Sequence, residues 1–194
     1  MLATIRKYAP AAISVFAAII FLDSLRYKFT DHPNTQEIFG RLDGWAGTFN
    51  AGGLFGHTGL FSQYVIGTGE LFASTLLLLG LLPRFRRLGA IGALTGFAVM
   101  SGAVNFHLWT PLGVDPNNDG GGLFKAAVVV WITTFVLIII RRNELLALLR
   151  DLGGKGHVTF VGAYYELGSG KVYLSEPVSL AGSGQAPRST GGHN

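Results

Sequence analysis

The chain has 194 residues, 49% of them hydrophobic and 13% charged, with a mean hydropathy of +0.41. Soluble proteins carry about 25% charged residues, so this composition excludes an ordinary water-coated globule. The net charge of +4 does not point to nucleic acid, because the basic residues flank apolar blocks. The absence of cysteine excludes thiol chemistry, iron–sulfur ligation and thiolate-bound haem.

A spanning helix needs roughly 20 mostly apolar residues, and four windows qualify: about 8–27, 60–82, 88–109 and 122–140. Arg6 and Lys7 precede the first, as in a signal peptide, but Phe21-Leu22-Asp23-Ser24-Leu25 offers no small-x-small cleavage site, so a retained span is expected. His32–Glu37 then reads as a helix start with Asn34 as cap and Glu37 three residues on. Ile38, Phe39, Leu42 and Trp45 follow at helical spacing, which predicts a short helix at the outer interface, where Trp is favoured. Residues 51–59, rich in glycine, are expected to be a flexible return into span two.

Spans two and three are joined by Leu82-Pro83-Arg84-Phe85-Arg86-Arg87, short enough to require an antiparallel helical hairpin. Gly92 and Gly96 in span three are four apart, the spacing that lets helices approach closely in lipid. The third connection, 110–121, carries Asp115 and Asp119 and no base. Asp115, Asn117 and Asp119-Gly120 match the start of an oxygen-ligand calcium loop, but its twelfth position is Ala126 instead of Glu. A polar turn capping span four explains the segment as well.

Lys and Arg gather in short cytoplasmic segments. Arg6, Lys7, Arg84, Arg86, Arg87, Arg141 and Arg142 therefore predict both termini inside a bacterial-type cytoplasmic (inner) membrane. After span four, residues 143–152 continue the helix or lie along the surface. Alternation over 157–167 and 171–175 around Gly168-Ser169-Gly170 predicts a β-hairpin, and the Gly/Ser-rich 181–194 is expected to lack order without a partner. The predicted architecture is an all-α four-helix membrane bundle (1–142) with a cytoplasmic extension (143–194).

Ionisable groups inside a bilayer are costly and suggest function. Glu70 lies about ten residues inside span two, and Gln63, Gly67, Glu70 and Ser74 form one polar stripe, which should face the bundle interior. Asp23 and Arg26 from span one, Asn105 and His107 from span three and Lys125 from span four are candidates to surround Glu70 in one outer-half pocket. The structural alternative is that these groups act as glue between helices or snorkel to the headgroups. The five histidines are scattered, so no metal set is expected.

Leu25-Arg26-Tyr27-Lys28-Phe29, Gly67-Thr68-Gly69-Glu70-Leu71, Leu79-Gly80-Leu81-Leu82-Pro83-Arg84, His107-Leu108-Trp109-Thr110-Pro111-Leu112-Gly113 and Asp119–Phe124, in that order, resemble the DoxX/DoxD-like membrane protein family over roughly residues 8–142. The resemblance implies a four-helix bundle. In some members it implies partnership with quinone-linked oxidation of sulfur compounds or with membrane redox complexes. It associates Arg26, Glu70 and His107 with a family site. The leading expectation is an accessory subunit of a larger membrane complex, with membrane lipids and other membrane subunits as partners. The alternative is a quinone-linked oxidoreductase subunit binding a quinone or another lipophilic molecule around Glu70. A lipid or solute carrier ranks last. No intrinsic cofactor is expected.

Overall fold

The computed structural model describes residues 2–154, 163–166 and 171–174. The chain divides into two units, Met1–Glu144 and Leu145–Asn194. In the first, α1 (Leu2–Lys28), α3 (Gln63–Leu79), α4 (Arg86–Trp109) and α5 (Gly122–Ile140) form a closed ring of four helices. Each packs on two neighbours: α1 on α3 and α5, α4 on α3 and α5. Three stretches are long and apolar enough to cross a membrane: Tyr8–Lys28, Pro83–Trp109 and Gly122–Ile140. The fourth ring member is shorter than the sequence suggested. α3 has 17 residues because Ser62 caps its start, accepting from Val65 N, and Gly80 ends it.

The core of the ring is small and tightly drawn. Phe21, Leu77, Val130 and Leu137 fill it together with Ala17, Ala73 and Ala93. The two spaced glycines of α4 meet different neighbours. A Cβ on Gly92 would lie 2.8 Å from Leu77 N on α3, whereas one on Gly96 would lie 3.0 Å from the Phe21 ring on α1. The Gly92 contact is closer than a side chain tolerates, and the Gly96 one would require the Phe21 ring to shift, so glycine sets the helix separation at Gly92.

One end of the ring is covered by a second apolar cluster. Leu42 and Ala46 of α2 (Pro33–Gly47), Phe55 and Leu112 form it, with Trp45 and Phe106 packed against it. The sequence placed the cap of α2 at Asn34. The structure uses His32, whose Nδ1 accepts from Asn34 N at 3.2 Å, because Pro33 occupies the first helical position and needs no partner for a missing N–H. Glu37 pairs with Arg41 instead of closing a capping box. The return segment, expected to be flexible, is tied down by one carboxylate oxygen. Asp43 Oδ1 accepts from the N–H groups of Gly53, Phe55 and Gly56 at 2.9, 3.0 and 3.1 Å.

At the opposite end the turn η1 (Pro83–Phe85) joins α3 to α4. Arg141, with φ −96° and ψ 16°, breaks the helix between α5 and α6 (Arg142–Gly154). On α6, Leu146, Leu149 and Leu152 are exposed. In the second unit β1 (Ala163–Glu166) pairs antiparallel with β2 (Lys171–Leu174), Tyr164 opposite Tyr173. The expected hairpin turn at 168–170, the earlier part of its first strand and the tail 181–194 lie outside the described residues.

Candidate functional site

Gln63, Gly67, Glu70 and Ser74 are all buried, so the polar stripe of α3 points into the ring. The carboxylate of Glu70 is 2% exposed and is met by Lys28 from the end of α1. Lys28 Nζ lies 3.1 Å from Oε1, to which it donates, and 3.0 Å from Oε2, where no hydrogen bond forms. Lys28 also donates to Ser24 Oγ one turn back. The result is a nearly dry ion pair joining two neighbouring helices. Desolvating two charges offsets much of their attraction, so the pair contributes little net stability, yet breaking it would leave one charge buried alone.

Lys28 was not among the candidates read from the sequence, which offered Arg26 or Lys125 as partners of Glu70. A signal was present. Ala17, Phe21, Ser24 and Lys28 follow one another at four-, three- and four-residue steps, a single helical face that begins in the core. Arg26 lies two residues away, nearly opposite on the helix. It pairs with Asp23 at 3.0 Å on the exposed surface, and its guanidinium sits over the Tyr27 ring.

The other candidates are also engaged locally. Asn105 is exposed and donates to Ser101 O on its own helix. Lys125 is exposed and donates to Gly120 O at 2.8 Å. His107 is buried, lies tilted beside the Phe124 ring and contacts Gly113 O through Nδ1 at 2.6 Å. A carbonyl oxygen can only accept, so Nδ1 carries the proton and His107 anchors the connection after α4. Among the described residues no hydrogen bond or ion pair joins Asp23, Arg26, Asn105, His107 or Lys125 to Glu70, whose ionic partner is Lys28.

The calcium-loop residues build a turn. Asp115 Oδ1 accepts from Asp119 N, and Asp119 accepts from Gly122 N at 2.9 Å and Leu123 N at 3.1 Å, capping α5. Burial pushes the Asp119 carboxyl up, but the N–H donors of Leu123 and Gly122 outweigh it and hold it below the usual carboxylate value. Among the described residues no cluster of three His, Asp or Glu is placed to hold a metal.

A second polar group, which the sequence reading missed, closes the α2 end of the ring. Asp31 sits in a left-handed turn, φ 52°, between α1 and α2. Its Oδ1 accepts from Tyr64 OH and from Gln63 Nε2, both at 2.5 Å. Gln63 also donates to Lys28 O at 2.9 Å and accepts from Gln36 at 2.8 Å, and Tyr64 OH contacts His57 Nε2 at 3.0 Å. The Tyr64 hydroxyl above all holds the Asp31 carboxyl below its usual value. Asp31 and His57 lie in loops, which have no periodicity, and of the helical members Gln36, Gln63 and Tyr64 only Gln63 belongs to the polar stripe that sequence could place. Beside this network lies an open cavity of about 180 Å³ bounded by Gln36, Phe39, Asp43, Phe55, His57 and Gln63. That is below the roughly 300–1,000 Å³ of small-molecule sites, and Glu70 does not line it. Comparison of the chain with family models, with curated proteins and with solved structures finds no match.

Proposed function

We propose that the chain is a DoxX/DoxD-like, four-span accessory subunit of a larger membrane complex, inserted in an inner membrane with both termini in the cytoplasm. The observation that carries this reading is the Lys28–Glu70 pair. The carboxylate in the middle of α3 is neutralised by the bundle's own lysine, which favours a polar interior that joins helices. Large apolar side chains such as Phe72, Ile132 and Phe135 face outward, where lipid or a neighbouring subunit would cover them.

Packing supports reading the ring as four spans. α3 is about 25 Å long at 1.5 Å per residue, short against a hydrocarbon core of about 30 Å. It lies in the ring between α1 and α4, so a membrane crossed by those two encloses it as well. Gly80, Leu81 and Leu82 extend its apolar length. The orientation rests on Arg84, Arg86, Arg87, Arg141 and Arg142 at one end. The docking device would be the extension after the ring, beginning with the exposed leucines of α6.

The experiment is extraction of native membranes in a mild detergent, followed by sizing of the tagged full-length chain and of a chain lacking residues 153–194. The reading expects the full-length chain in a defined larger assembly and the shortened one released from it. A full-length chain that sizes alone would contradict it, and so would a quinone-reductase activity lost in a folded Glu70→Gln variant.

A further inference from the structure

The ring end farther from α2 holds a cavity of about 270 Å³ between the start of α1, the α3–α4 turn and the end of α5. Ala11, Leu81 and Ile140 supply its apolar side, and Arg86, Arg141 and Glu144 its charges. Arg141 is 6% exposed. Its Nη1 donates to Arg86 O at 3.0 Å and its Nη2 to Gly80 O at 3.2 Å, while Nε is buried without a partner. The guanidinium fits because glycine stands opposite: a Cβ on Gly89 would lie 3.0 Å from Nη1. Two backbone carbonyls orient this cation but do not neutralise it. Burial works against its charge, Glu144 favours it, and Arg86 opposes it.

Two guanidinium groups and one carboxylate leave the cavity one positive charge in excess, which a phosphodiester would balance. Guanidinium is the side-chain group best matched to phosphate oxygens, and basic pockets between transmembrane helices bind anionic headgroups. The rim separates a lipid from a soluble anion. Leu81, Leu82 and Ile140 are exposed beside the cavity, at 37%, 50% and 43%, and continue onto the apolar outer faces of α3 and α5. We propose that this cavity binds the phosphate of an anionic phospholipid, with Arg86 and Arg141 supplying the charge and the Leu81–Ile140 rim receiving the start of the acyl chains. The proposal rests on the bundle crossing a membrane and is independent of its role as a subunit.

The test uses full-length protein in a neutral maltoside detergent. Thermal unfolding is followed with added dioleoyl-phosphatidylglycerol, with dioleoyl-phosphatidylcholine and with inorganic phosphate, for the wild type and for Arg86→Gln. Arg141 bonds the backbone of Arg86 and not its side chain, so this variant keeps that bond, and each lipid response is read against the variant's own lipid-free Tm. The expected result is a Tm rise with phosphatidylglycerol alone, reduced several-fold in Arg86→Gln, with fewer phosphatidylglycerol adducts retained in native mass spectra. An equal rise with phosphatidylcholine, an undiminished response in Arg86→Gln, or full reproduction by inorganic phosphate would each overturn the lipid assignment. Labelling of single introduced cysteines in intact cells tests the membrane crossing separately.

Discussion

Lys28 and Glu70, 42 positions apart in the chain, form an ion pair at 3.0 Å that ties the end of α1 to the middle of α3. Its lysine comes from the apolar face that carries Ala17 and Phe21, so the same rotation of α1 that packs the core also delivers the charge. The pair explains why a carboxylate is tolerated inside an apolar ring and why the nearby Arg26 is free to pair with Asp23 outside.

The glycines of α4 should respond unequally to the same substitution. Gly92→Ala places a methyl 2.8 Å from the α3 backbone and should lower stability by about 1–3 kcal/mol, the usual penalty of overpacking. At Gly102 the nearest atom to an added Cβ is 3.9 Å away. Gly102→Ala should therefore be neutral or stabilising by up to about 1 kcal/mol, since alanine is the better helix former. Thermal unfolding in detergent measures both, and equal effects would refute the close-contact assignment.

Asp43 is expected to govern the 51–57 segment. Asp43→Ala removes the acceptor shared by Gly53, Phe55 and Gly56. Amide exchange in that segment should then accelerate by an order of magnitude or more, while α4 and α5 stay protected. Unchanged exchange would mean that the loop is held by its apolar contacts alone.

Acid should weaken the connections between helices before the ring. Asp31 and Asp119 both have carboxyl groups below their ordinary value in the folded protein. A lowered folded value means stability that is fully present above the unfolded value near 3.8 and is lost as pH falls through the folded one. Below about pH 4 the wild type should lose more stability than Asp31→Asn, which lacks the titrating group. Parallel curves would contradict this. Asp119→Ala should lower Tm by a few degrees through loss of the α5 cap, with no dependence on added calcium or chelator.

The cysteine-free sequence allows a clean test of topology. Gly44→Cys on α2 should react with an impermeant maleimide in intact cells, and Arg84→Cys only after the membrane is opened. Reversed labelling would invert the orientation; labelling of both from one side would remove the α3 span.

What could be read from sequence followed periodicity. The spans on α1, α4 and α5 and the inward stripe of α3 are repeats of apolar or polar residues at helical spacing, so their residues could be placed before any contact was known. Partner choice was not legible in the same way. Arg26, Lys28 and Lys125 are equivalent as charges, and only the rotation of α1, fixed by the burial of Ala17 and Phe21, selects Lys28. The α2 end was harder still. His32 displaced Asn34 as the cap because Pro33 follows it, and the grouping of Asp31 with Gln36, Gln63 and Tyr64 depends on a left-handed residue and on contacts across more than 25 positions.

The most direct measurement of the central claim is a double-mutant cycle on Lys28→Met and Glu70→Met, read as unfolding free energy in detergent. If the pair is structural, each single change strands a buried charge and should destabilise the bundle by about 3–5 kcal/mol, while the double variant should return to within about 1–2 kcal/mol of wild type. Single variants as stable as wild type, or a double variant that loses the sum of both, would contradict the account.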